Sequence, residues 1–509
     1  IEAMNSAVQR RGPDDTGTYH TEISGCFVAL GHQRLSILDL SKDGHQPMQR
    51  QGVTIAYNGE IYNHKDIRDE LISLGYKFVS KSDTEVVINS YLEWGVDCVN
   101  RFNGMFAIAI LDKSHGKMHL IRDRAGVKPL YLFQNEFGYA FASDLKALFA
   151  FPSFKKRLCK PAVSHFLKYG YVPEPLSIFE GVTKIKAGTI LSISIPKYEA
   201  NEQVYWDVTD EYRMPIAGLS ETEIVNEIHA LLRSSCKMRM VADVPIGVFL
   251  SGGYDSSVVS ALCQSLSRSP INTYTIGFGD ARYDEAPAAR EIAGYLGTQH
   301  TEVYCTKNDA ISLIEYLPDI WTEPLGDVSC IPTALVSKIA SADVKVALSA
   351  DGGDEIFGGY NKYTQALKIA EYRDLLGAFA RYSPQLSRIF ESASFKALIP
   401  ARYHRKINKL LDGISTDSDA EILTVLGSAF SKNEFSNLLK EDFNDGQTLF
   451  DKASRYSVGN SCINNLLSFD YKTYQCDNIL AKVDRATMFY SLKVENLYLI
   501  TGSQSSWRK

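Results

Sequence analysis

Apolar positions follow two different rhythms along the chain. Up to about Phe149 they come in short β-prone runs (residues 53–57, 105–111, 118–121 and 139–142) separated by Gly, Asn and Asp. Runs of this kind predict a sheet-rich unit. Past residue 220 the rhythm changes. Ser220 and Glu223 have the spacing of a capping box, and Ile224, Val225, Ile228, Leu231 and Leu232 share one helical face. Strand-like runs then alternate with helical ones: 245–250 before a helix over 256–266, 273–278 before 286–296, and 344–348 after 331–340. This alternation predicts a parallel sheet with ligands at the strand C-termini. Residues 192–219, with Pro196, Pro215, Gly218 and weak periodicity, read as a linker, and residues 365–465 read as helical.

Composition narrows the class without naming a chemistry. At 509 residues, two or three domains are expected. A net charge of -6 gives no general reason to expect nucleic acid or a membrane surface as partner. No apolar run approaches the length of a membrane-spanning helix, and the residues after Ile1 do not read as a signal peptide. Nine cysteines without a C-x-x-C pair suggest reduced thiols and a cytoplasmic location, and argue against zinc or a disulfide framework.

Two loops carry the chemistry of the second half. Ser251-Gly252-Gly253-Tyr254-Asp255-Ser256-Ser257 directly follows an apolar strand. The glycines permit close backbone approach, and the next helix would aim its first amides at an anion such as phosphate. Asp255 cannot help an anion directly, so its sensible role is to hold a magnesium ion beside the phosphates. The Gly-Lys-Ser/Thr ending of a Walker A loop is absent. A second strand runs into Ser349-Ala350-Asp351-Gly352-Gly353-Asp354-Glu355, whose carboxylates are poor core material unless a cation or ligand meets them. Both loops fall on the same edge of the predicted sheet.

These loops resemble those of the glutamine-dependent asparagine synthetase family, whose synthetase domain is of the ATP-pyrophosphatase type. Ala350 stands where that family usually has glycine, and Ile276-Gly277-Phe278, Glu323-Pro324 and Lys482-Val483-Asp484-Arg485-Ala486-Thr487-Met488 extend the match. The resemblance implies ATP and Mg2+ as cofactors. Aspartate would be activated as β-aspartyl-AMP with release of pyrophosphate, and ammonia would then displace AMP. Leu250, Ile276, Ser349 and Ala350 would hold the adenosine. Ser251, Gly252, Gly253, Asp255 and Ser256 would grip the pyrophosphate, Asp255 and Asp354 would bind the metal, and Asp351 would support acyl-adenylate formation.

The first half holds Arg11-Gly12-Pro13-Asp14, Arg34-Leu35-Ser36-Ile37, Tyr57-Asn58-Gly59-Glu60-Ile61-Tyr62-Asn63 and Ser82-Asp83-Thr84-Glu85. These groups suit a pocket for a zwitterionic amino acid: Arg34 for its carboxylate, Glu60 and Asp83 for its ammonium, Asn58 and the Gly59 amide as an oxyanion hole. An Asn-Gly pair is also an ordinary hairpin turn. Together the segments resemble a class II glutamine amidotransferase, an α+β sandwich of N-terminal-nucleophile type. The resemblance adds glutamine to aspartate and ATP as small-molecule partners. In that family the nucleophile is an N-terminal cysteine using its own amine as base. Cys26 follows the Arg-Gly-Pro-Asp motif and sits mid-chain, so it is not assigned that role. The reactive cysteine and a first strand are expected upstream of Ile1, and the chain as printed is expected to lack glutaminase activity.

The expected division is thus residues 1–191 as glutaminase, 192–219 as linker and 220–494 as synthetase domain. Beyond Val494 the family pattern breaks. A one-base shift of a suitable codon choice turns the tail into Arg-Glu-Pro-Leu-Leu-Asp-His-Arg, the family's continuation, so residues 495–509 are expected to be a frame-shifted tail without designed structure. A homodimer is carried as an expectation, since no pattern fixes oligomeric state. Amidation of another carboxylate, such as a sugar acid or a secondary metabolite, and an inactive remnant of the enzyme are the alternatives. Loss of glutaminase function, as in β-lactam synthetases, fits poorly with the intact pocket residues.

Overall fold

In a computed structural model that describes residues 1–214, 218–382, 400–439, 443 and 446–499, the β-prone runs of the first half become eleven strands. They are β1 (Asp15–Ile23), β2 (Cys26–Arg34), β3 (Met48–Arg50), β4 (Val53–Ile61), β5 (Gly104–Asp112), β6 (Lys117–Arg122), β7 (Tyr131–Asn135), β8 (Gly138–Ala142), β9 (Val182–Lys184), β10 (Thr189–Ser194) and β11 (Glu199–Val204). Six of them pair antiparallel in the order β11-β10-β6-β5-β4-β3. The central strand β5 is apolar at nearly every position because both of its faces are covered. Phe106, Ile108 and Ile110 pack toward the helices His64–Ser73 and Asp83–Trp94. Ala107, Ala109 and Leu111 face a second layer containing Leu30, Leu130 and Leu132. That layer is built from the hairpin β1-β2 and the small sheet β8-β7-β9. The result is the expected α+β sandwich.

The second half holds β12 (Ile246–Phe249), β13 (Asn272–Phe278), β14 (Gln299–Cys305), β15 (Val346–Ser349) and β16 (Lys493–Asn496). All pair parallel, in the order β14-β13-β12-β15-β16. The chain leaves β12 toward one edge through β13 and β14, then returns to β15 on its other side. The boundary between β12 and β15 is therefore a topological switch point, where connections diverge and leave a crevice beyond the strand ends. Beyond it lie the helices Asn361–Leu376, Ala401–Ile414, Asp419–Gly427 and Cys462–Asp470, around a core that includes Tyr363, Ile369, Ile422, Leu466 and Phe469. Residues 383–399, within the stretch read as helical, lie outside the described residues.

Three readings need correction. Residues 192–219 are not simply a connector, because β10 and β11 add a hairpin to the first sheet. Every residue of β11 is exposed, so no apolar rhythm announced it. The helix Glu221–Arg239 does carry the capping box, but Ile224 and Val225 are exposed, and it is Leu232, Ser235, Cys236 and Arg239 that are buried. Residues 495–499 are not unstructured. Glu495 and Asn496 complete β16 against Leu348 and Ser349, and Leu497, Tyr498 and Leu499 are buried. Their apolar side chains fill space beside β15, whatever the origin of the sequence. Residues 500–509 lie outside the described residues.

The two halves share a buried ionic interface. On the helix Ala481–Phe489, Asp484 takes Arg11 at 2.9 Å and Lys128 at 3.1 Å, while Arg485 reaches Asp144 at 2.8 Å. The preceding ten-residue π-helical segment Tyr471–Leu480 places Asp477 against Lys184 at 3.2 Å. Glu323 accepts the Ile178 amide at 2.7 Å and meets Lys184 at 3.2 Å. The family-like segments around residues 323 and 482–488 thus fasten the parallel sheet to the sandwich. All nine cysteines are free thiols. Among the described residues no helix is long and apolar enough to cross a membrane.

Candidate functional site

The crevice at the switch point is built from the ends of three adjacent strands. Leu250 follows β12, buried, with its amide bonded to the Tyr274 carbonyl of β13 at 3.0 Å. Ser251 and Ser256 lock the turn: the Ser251 amide donates to Ser256 Oγ at 3.1 Å, and the two hydroxyls lie 3.0 Å apart. Gly252 has φ +86°, and a Cβ there would come within 2.9 Å of Ala288 Cβ and the Ala289 amide nitrogen. Gly253 caps the thirteen-residue helix Tyr254–Leu266, whose first amides have no partner within the helix. Open amides at a helix start, with the positive end of the helix dipole, are the arrangement that suits an anion. Ile276 lies in β13, beside the loop.

Gly252→Ala is expected to cost about 1 kcal/mol of stability, because the left-handed conformation disfavours any Cβ and the neighbouring backbone blocks it, and to weaken by about tenfold or more the ATP binding that the sequence resemblance implies for this loop. Isothermal titration and thermal melts of wild type and variant measure both effects. Unchanged affinity would show that the loop does not approach the nucleotide.

The second wall of the crevice follows β15. Ser349 Oγ donates to Asp351 Oδ2, Ala350 starts the turn, and Gly352 takes φ +97° before the short helix Gly353–Phe357. Asp255 lies directly against this wall, since a Cβ on Gly353 would fall 2.5 Å from its Oδ2. A Cβ on Gly359 would fall 1.9 Å from Asp354 Oδ1. Glycines on both sides therefore leave room for the two carboxylates. Partial burial and the neighbouring Asp354 raise the Asp255 carboxyl above its usual range. Burial also raises Asp354, and Lys362 pulls it down while Asp351 pushes it up. Facing carboxylates that repel one another form a hard-oxygen donor set, which fits Mg2+. Glu355 differs: it is buried, its Oε1 accepts the Tyr360 hydroxyl at 2.8 Å, and burial pushes its carboxyl up to about 7. It braces the loop from beneath.

Among the described residues, the tight trio Glu174, Cys476 and Asp477 also has ligand-type atoms in mutual reach. Arg122 lies 3.2 Å from Glu174 and Lys184 lies 3.2 Å from Asp477, so protein cations already supply the charge a metal would bring.

A separate cavity of ≈ 70 Å³ lies in the first half, lined by Arg34, Asn58, Gly59, Glu60 and Asp83 among others. All five sequence-predicted residues converge on it, and Ser251 does not line it. The two sites are distinct. Arg34 is buried and tied to the carbonyls of Ser41, Leu38 and Asp39 at 3.0, 3.3 and 2.5 Å, which fixes its guanidinium in the wall. Asn58 Nδ2 donates to Ser143 Oγ at 3.3 Å. Asp83 sits in the first turn of the helix Asp83–Trp94 and accepts the Tyr57 hydroxyl at 2.7 Å and the Ile61 amide at 3.0 Å. Cys26 is elsewhere: its thiol donates to the Ile195 carbonyl at 3.6 Å and accepts the Tyr198 hydroxyl at 3.3 Å.

Sequence reasoning assigned no part in this cavity wall to several further residues, among them Lys128, Met488 and Lys493. The last two come from the second half of the chain. Lys493 Nζ donates to the Gly59 carbonyl at 3.1 Å and pairs with Glu60 Oε2. Burial, with Glu495 and Asp83 nearby and Lys493 opposing them, brings the Glu60 carboxyl up to about 8.

Comparison with known proteins follows the same division. Residues 1–206 match the family model described as "Glutamine amidotransferase domain", and residues 227–495 match "Asparagine synthase". The chain is 34% identical over 532 residues to a protein of Methanocaldococcus jannaschii named "Putative asparagine synthetase [glutamine-hydrolyzing] 2", with 97% of this chain and 96% of the relative covered. It is 30% identical over 502 residues to "Asparagine synthetase [glutamine-hydrolyzing] 1" of Bacillus subtilis, covering 98% of this chain and 76% of that one. It is also 32% identical over 383 residues to "Amidase chyE" of Penicillium rubens, covering 71% of this chain and 55% of the relative.

Proposed function

Because the chain belongs to the asparagine synthase family, with a glutamine amidotransferase unit ahead of the synthase unit, we propose that it amidates the side-chain carboxylate of aspartate, using ATP for activation and glutamine as the source of ammonia. The observation that carries this reading is the pairing of two separate sites on one chain. One is a small cavity lined by an arginine, an asparagine and two carboxylates; the other is a Ser-Gly-Gly turn at a helix start beside the neighbouring carboxylates Asp255 and Asp354.

In the crevice, Leu250, Ile276, Ser349 and Ala350 border the adenosine. The turn Ser251-Gly252-Gly253 and Ser256 wrap the pyrophosphate, with amides of the helix start turned toward it. Asp255 and Asp354 would hold Mg2+, which when bound supplies charge neutralisation at the phosphates. Asp351, fixed by Ser349 Oγ, stands beside the reacting carboxylate as the acyl-adenylate forms. In the cavity, Arg34 meets the glutamine carboxylate, Glu60 and Asp83 its ammonium, and Asn58 with the Gly59 amide its amide oxygen. The functional division we propose is glutaminase from the N-terminus through β11 and synthetase from Ser220 onward.

The similarity to a protein named an amidase makes the acceptor the point to test. Pyrophosphate release from ATP, followed with ammonium as nitrogen donor, is expected with aspartate and not with glutamate, a uronic acid or succinate. Release with another carboxylate and none with aspartate would replace the acceptor and leave the chemistry in place. The absence of any acceptor-dependent pyrophosphate would remove the synthetase reading.

A further inference from the structure

Lys493 belongs to the parallel sheet by backbone and to the amidotransferase cavity by side chain. In β16 it pairs in register with Val346 of β15, whose C-terminal end carries the Asp351 loop. Its ammonium crosses the interface, is buried, and bonds the Gly59 carbonyl and the Glu60 carboxylate. The other charged groups acting closely on Glu60 are acidic, while Arg11, Arg34 and Lys128 stand elsewhere in the same cavity wall. Glu495 comes from β16, Asp83 from the helix Asp83–Trp94, and the hydroxyls of Tyr57 and Tyr62 from β4 and its end. Tyr62 donates to Glu495, and Arg239 covers the Tyr62 ring at 4.1 Å from its centroid. Among these groups, Lys493 alone places a cation on Glu60 itself.

From this arrangement we infer that Lys493 is a positioning residue of the glutamine cavity: it reaches over from the synthase sheet to favour the carboxylate form of Glu60 and to fix where that side chain stands for the substrate ammonium, so the cavity is complete only when the two halves are docked. The inference rests on the glutamine reading above. It also gives the interface a functional consequence, since a shift of β16 would move the charge on which the amino-acid site depends. By linkage, occupancy of the cavity would in turn favour the docked position of β16.

The sign follows from the electrostatics. Burial, Glu495 and Asp83 favour the protonated, neutral Glu60, and Lys493 opposes them. Removing the lysine leaves three close carboxylates and no cation on Glu60, so Glu60 takes up a proton and ceases to attract an ammonium. Glutamine affinity of the wild type is expected to rise with pH as Glu60 ionises near about 8. In Lys493→Met that rise moves to higher pH, in Lys493→Arg it stays near the wild type, and in Glu495→Gln, which removes the opposing carboxylate, it moves to lower pH.

The experiment is calorimetric titration of the full chain with L-glutamine from pH 6.5 to 9, with ATP affinity and thermal melts as controls for folding. Lys493→Met is expected to weaken glutamine binding at least about tenfold at neutral pH, the scale of one charged hydrogen bond, with ATP affinity retained. Wild-type binding and pH profile in Lys493→Met would overturn the inference, as would a loss that Lys493→Arg does not restore. If Lys493→Met fails to fold, the opposite shift expected for Glu495→Gln decides alone, and an unmoved profile overturns the inference. A wild type that binds ATP but not glutamine would overturn the glutamine reading itself, and this inference with it.

Discussion

Asp255→Asn is expected to lower pyrophosphate release from ATP by at least about a hundredfold while leaving the fold intact. The amide keeps the size of the carboxylate and loses its charge, and a neutral oxygen is a much weaker ligand for a hard cation. Removing groups that merely support a metal ligand already costs about 10- to 100-fold, so loss of a ligand should exceed that. Stability should not fall. Asp255 is raised in pKa by burial and by Asp354, so without a cation its charge is a burden on the folded state. Asp255→Asn should therefore melt at the same temperature as the wild type or slightly higher without Mg2+, and should not show the rise in melting temperature that Mg2+ with ATP is expected to give the wild type. Steady-state pyrophosphate release and melts with and without Mg2+ and ATP separate the two effects. Near-normal turnover would remove Asp255 from the metal site. A lowered melting point without Mg2+ would mean that the carboxylate has a structural partner.

Much of this crevice was legible in the sequence because its chemistry is local. Glycines, serines and a carboxylate within one short turn after an apolar run specify a strand, a tight turn and a helix start, and the structure forms them there. The helix Ala286–Leu296 coincides with its sequence reading for the same reason, with an αL glycine, Gly297, closing it. Local logic failed where burial is decided by distant partners. Ile224 and Val225 are exposed among the described residues, and β11 is a solvated edge strand held by its pairing with β10. Lys493 could not be assigned to the cavity from sequence, because its partner Glu60 lies 433 positions away. A lysine in a strand reads as an exposed residue unless the fold is known to bring carboxylates to it.

The same limit hid the meaning of Lys482-Val483-Asp484-Arg485. As a motif it marked a family; in the fold it is a two-sided fastening. Asp484 binds cations of the sandwich, and its neighbour Arg485 binds an anion and the Tyr131 hydroxyl of the same unit. Opposite charges at consecutive helix positions, each paired with the sandwich, set the register between the halves, since a slip would bring like charges together.

Asp484→Asn should therefore be among the most destabilising single substitutions outside the hydrophobic core. Asp484 is buried, and its removal leaves Arg11 and the almost fully buried Lys128 without their shared anion. Breaking one side of a buried ion pair typically costs about 3–5 kcal/mol, most of it from the charge left behind. The pH dependence has a definite sign. Burial alone would raise the Asp484 carboxyl, but Arg11, Lys128 and Arg485 together hold it well below the usual carboxylate range. A group depressed in the folded state stabilises fully above its unfolded pKa of about 3.9 and loses that contribution as the pH falls toward its folded value. The gap between wild type and Asp484→Asn should thus be constant from pH 8 to 5 and shrink only below about 4. Because Arg11 and Lys128 also line the amidotransferase cavity, glutamine affinity should fall together with stability. Urea denaturation across this pH range, with a double-mutant cycle on Arg11→Met, measures the coupling. A loss below about 1 kcal/mol at neutral pH, or a coupling energy near zero, would mean that the halves are held by their apolar contacts and that this ionic network sets only their register.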